Sequence, residues 1–68
     1  MASAEINLAI TRCTEAIAVA DAFEAQYLKR CRDGAPAIAV READRQLARA
    51  NEIVMQCRDA LAELQAGA

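Results

Sequence analysis

The sequence predicts an all-α chain: an antiparallel two-helix hairpin, coiled-coil-like, that dimerises into a four-helix bundle. Two apolar stripes at helical spacing, a single break between them and large apolar side chains outside both stripes predict it. The break is Asp33-Gly34-Ala35-Pro36, which holds the only proline and one of the two glycines. Gly34 can take the left-handed conformation that closes a helix, and Pro36, with its fixed φ and no N–H to lose, suits the first position of the next one. A single domain over residues 1–68 follows, with helix one at about 3–32, the turn at 33–35 and helix two at about 36–65.

Helix one has Ser3 as its expected N-cap, Glu5 in the first turn, and Lys29, Arg30 and Arg32 in the last, so both ends carry the charge that complements the helix dipole. Its stripe reads Ile6, Ile10, Cys13, Ile17, Ala20, Tyr27 and Cys31 in alternating steps of four and three. Glu24 occupies the missing place in that series and is expected to reach the seam edge or pair with an arginine, with exposure where the stripe widens as the alternative. Ala9, Ala16 and Phe23 lie beside the stripe, with Leu8, Val19 and Leu28 further out.

Helix two carries a cleaner pattern, Val40, Ala43, Leu47, Ala50, Val54, Cys57, Leu61 and Leu64, with Gly67 placed to close it. Folding at Asp33-Gly34 pairs residues whose numbers add to a constant, setting Ala20 against Leu47, Ile17 against Ala50 and Cys13 against Val54. Large then faces small across the seam, as interdigitating layers require.

A chain of 68 residues buries a small share of its surface and needs reinforcement. Three cysteines, Cys13, Cys31 and Cys57, with no Cys-x-x-Cys pair and no histidine, point away from a disulfide framework and from structural zinc. No cofactor is expected. Oligomerisation is the remaining route, and a homodimer covers the outer apolar residues. Val19, Phe23, Tyr27, Leu28, Ile53 and Met55 are the expected partner or dimer interface, with Phe23 and Tyr27 as aromatic anchors one turn apart.

Composition narrows the function. Eight basic and ten acidic residues, net charge −2, with the signs interspersed, argue against a nucleic-acid binder. No basic leader or membrane-length apolar run is present in the sequence, and unpaired cysteines suit a reducing compartment, so the expected location is cytoplasmic. High Ala and Arg with one Lys suggest a bacterial or phage genome. With no histidine, one serine and no glycine-rich phosphate loop, the chain has none of the usual catalytic constellations and reads as not an enzyme.

The expected function is therefore a small protein–protein interaction module that inhibits, chaperones or adapts another protein through an apolar helical face. By shape alone, and by no motif, phage-encoded inhibitors of host proteins and secretion co-chaperones are comparable. The alternative is a dimeric transcriptional regulator or nucleic-acid binder using the ridge Arg41, Arg45 and Arg49. Those arginines are interleaved with Glu42, Asp44 and Glu52, which favours a solvated, ion-paired face instead.

Overall fold

The computed structural model describes residues 2–67, with side chains from residue 4 onward. Two α-helices, α1 (Ala2–Arg32) and α2 (Ala37–Gly67), pack along their length as an antiparallel hairpin. Each has 31 residues, about 46 Å at 1.5 Å per residue, which accounts for the rod-like dimensions of 51 × 13 × 11 Å.

The turn forms where its chemistry requires. Gly34 stands at φ 70°, donating its N–H to the Cys31 carbonyl at 3.3 Å, while the Ala35 N–H reaches the Arg30 carbonyl at 3.0 Å. This pair of bonds is the Schellman closure, which satisfies carbonyls the helix end would otherwise leave free. Pro36 sits one place earlier than expected. Its carbonyl accepts from the N–H groups of Ala39 and Val40, so it caps α2 rather than opening it, and Ala37 is the first helical residue. The Arg30 guanidinium then crosses the turn to the Ala39 carbonyl at 3.0 Å, tying the end of one helix to the start of the other. Helix α1 already includes Ala2, so Ser3 lies within it; its side chain, and with it the expected cap, lies outside the described residues. Gly67 remains helical as the last residue of α2.

On α2, every expected seam residue is buried or half-buried, from Val40 to Leu64. On α1 the stripe needs correction. The residues that turn inward are Ile6, Ala9, Cys13, Ala16, Ala20, Phe23, Tyr27 and Arg30, an unbroken alternation of three and four. Ile10 and Ile17, expected in the seam, are 44% and 36% exposed, and Cys31 is exposed too. Glu24 fills no gap, because Phe23 holds that layer. Nor does Ile17 stand against Ala50 as a large-to-small pair: Ala20 clusters with Ala50 and Val54, flanked by Ala16 and Phe23.

The physical reason is close approach. Alanine at the contact positions brings two helix backbones nearer than isoleucine would, and the distance between helix axes follows the contact side chains. Three of the five buried side chains are alanine: Ala20, Ala43 and Ala50, beside Cys13 and Val54. Ala43 is the most enclosed at 1% exposure, and no large side chain among the described residues is fully buried.

Candidate protein-binding surface

A seam built from small residues leaves the large ones outside. Among the described residues, eight large apolar side chains are exposed, and helical position divides the five on α1 between its two flanks. Ile10, Ile17 and Leu28 lie along one flank of α1. Leu8 and Val19 lie along the other.

On the Leu8 side, the space between the helices is a shallow, open groove in two adjoining hollows, of about 390 Å³ and 300 Å³. Its floor is Ala9, Ala16, Ala50 and Cys57. One wall is α1, presenting Glu5, Leu8, Arg12, Glu15 and Val19 in steps of three and four. The other is α2, presenting Ile53, Gln56, Ala60 and Leu64. Arg12 and Cys57 border both hollows, which therefore lie side by side. It exists because Ala9 and Ala16 are too short to fill the space that the outward-leaning Leu8 and Val19 overhang.

Two of the six expected interface residues, Val19 and Ile53, come together on the second hollow. Phe23 and Tyr27 stand half-buried in the seam, Phe23 against the core cluster. Leu28 and Met55 are exposed and border neither hollow. Arg41, Arg45 and Arg49 are all exposed on α2, away from both hollows. Arg45 lies 3.5 Å from Glu42, the only ion pair among the described residues. Sequence reasoning passed over Arg12, Glu15, Gln56, Ala60 and Leu64 as groove residues. The 4-3-4 spacing of Leu8, Arg12, Glu15 and Val19 is the signal that marks a common stripe.

Two groups in the seam have displaced acidities. Burial pushes the Cys13 thiol up, and the negative potential and hydrogen bonding of Cys57 add to the shift. All three cysteines are free thiols. The Tyr27 phenol is raised first by hydrogen bonding with Cys31 one turn on, then by the negative potential of Cys31 and of Asp44 across the turn end. Both shifts favour the neutral form, which suits inert packing groups rather than nucleophiles. Among the described residues no three His, Cys, Asp or Glu side chains converge as a metal site, and no helix is long and apolar enough to cross a membrane.

Comparison with protein-family models, with curated proteins and with solved structures finds no match for this chain. The surface chemistry therefore carries the functional reading.

Proposed function

We propose that this chain is a small, non-enzymatic protein–protein interaction module that binds and modulates another protein through an apolar helical face. One observation carries the reading: among the described residues eight large apolar side chains are exposed, while the buried ones are the small Cys13, Ala20, Ala43, Ala50 and Val54. Contiguous apolar surface rimmed by polar residues marks interaction sites. The flank of Ile10, Ile17 and Leu28 is the docking face for that partner, in the manner of a helix face laid into an apolar groove.

Affinity capture with the wild-type chain and with an Ile17→Asp, Leu28→Asp variant tests it. Both residues are exposed, so the variant retains its helices. The expected result is a protein held by the wild type, lost with the variant, and bound again when both purified components are mixed. Equal retention by both baits overturns the assignment of the face. Tight, salt-sensitive binding to duplex DNA, abolished by neutralising Arg41, Arg45 and Arg49, overturns the class.

A further inference from the structure

We infer that the groove on the Leu8 side is the homodimer interface, occupied by the same groove of a second copy about a two-fold axis level with residues 13 and 14. This rests on the interaction-module reading and deepens it, by separating the surface used for self-association from the flank left for a different partner.

Surface area sets the need. The chain exposes 5172 Å². A folded monomer of its 7.3 kDa mass is expected to expose about 4,200 Å² by the usual scaling of surface with mass. The excess, on the order of 1,000 Å², matches the roughly 800 Å² that each partner buries in a stable complex. One such contact gives the chain the burial of an ordinary small domain.

The pattern of the wall selects a second copy as the occupant. A two-fold interface must be self-complementary, so that if residue i meets residue j, j meets i. Along α1 the wall reads Glu5, Leu8, Arg12, Glu15, Val19, and its stretch from Leu8 to Val19 runs apolar, positive, negative, apolar. Reversed about its midpoint, the stripe keeps its apolar places and exchanges its charges. A second hairpin laid antiparallel across the groove sets Leu8 against Val19 of the second copy, and Arg12 against Glu15 of the second copy, each contact made twice. Among the described residues, neither charge has an ion-pair partner within its own chain.

The second wall agrees from Ile53 to Ala60, while Leu64 falls opposite Arg49 of the second copy. Gln56 and Cys57 border the groove beside Arg12, so the same axis crosses α2 at their level. Ile53 then covers Ala60 of the second copy, large upon small, and the result is a four-helix bundle in which each helix packs antiparallel on its own equivalent. On the opposite flank, the stripe of Ile10, Thr14, Ile17, Asp21, Glu24 and Leu28 carries two acids and no base to complement them. It has no such symmetry.

Sedimentation equilibrium across a concentration series, with circular dichroism to confirm helicity, tests this on the full chain. The wild type should dimerise and Leu8→Asp should remain monomeric while still helical. Arg12→Glu and Glu15→Arg should each weaken the dimer by about tenfold or more, because each places two like-charge contacts in the interface. The double variant carrying both exchanges should recover wild-type affinity, since reversing both charges restores the complement. A monomeric wild type overturns the inference, as does a dimer indifferent to Leu8→Asp or a double variant no tighter than the single ones. None of these substitutions touches the Ile10 flank, so failure here leaves the partner-docking test of that flank intact.

Discussion

The seam of this hairpin and its flanks differ in the size of their apolar residues: among the described residues the most enclosed seam positions are small, and eight large side chains are exposed. Ala20, Ala43 and Ala50 hold the two helices together, while Leu8, Val19, Leu28 and Met55 face outward. A seam of alanines is narrow, and it removes little apolar area per layer at about 25 cal/mol per Å². Its strength is backbone proximity and tight contact. The flanks are broad and hold most of the chain's capacity for hydrophobic burial. Folding of one chain and recognition between chains are thus assigned to different residues.

Substitutions at the two surfaces should behave in opposite ways. The largest effect is expected from Ala20→Asp, which places an unpaired carboxylate in the central cluster beside Ala50 and Val54. Loss of helical circular dichroism and of a cooperative melt is the outcome; a retained Tm would contradict the observed seam. Ala43→Leu adds apolar bulk where exposure is 1% and should still destabilise, by about 1–3 kcal/mol in chemical denaturation, because the helices must part. A stabilised variant would show the seam to be looser than described.

The seam should also respond to alkali. Cys13 and Tyr27 are weaker acids in the folded chain, their pKa values raised, so above their ordinary unfolded values the unfolded chain has lost protons that the folded chain retains. Stability should accordingly be flat through neutral pH and fall as pH rises past the thiol and phenol range. Thermal melts across that range should show a shallower fall for Cys13→Ala than for the wild type. The smallest effect is expected on the flank: Leu28→Ala should change stability by no more than about 0.5 kcal/mol, since the side chain is 55% exposed and alanine is a good helix former. A larger loss in denaturant titration would show that residue to be covered in solution.

The inward stripe of α2 was legible, though not its ends. Its apolar residues recur in one row only, so periodicity alone selects Val40 through Leu64. Helix α1 offers two rows that share Ile6, Cys13, Ala20 and Tyr27 and differ by one residue at alternate layers. One has Ile10, Ile17, Glu24 and Cys31; the other has Ala9, Ala16, Phe23 and Arg30. Hydropathy favours the isoleucines. Packing favours the alanines, and the exposed Glu24 shows which consideration prevails.

The groove was legible only in fragments. Leu8, Val19 and Ile53 stand out in the sequence as apolar residues beyond the stripes, but their union depends on which row of α1 turns inward. Rotating α1 to bury Ile10 would fill the seam differently and scatter the wall that carries Arg12 and Glu15.

What the sequence by itself determined is local and periodic: two helices, the charged ends of α1, the turn at Gly34 with its left-handed backbone, and the inward stripe of α2. Those follow from capping, φ preference and a repeat of three and four, all of which act within a few residues. What only the tertiary structure decided is the rotation of α1 about its own axis, and with it the alanine seam, the exposed isoleucines and the groove. That choice depends on how closely two backbones can approach, a property of the pair that neither helix carries alone.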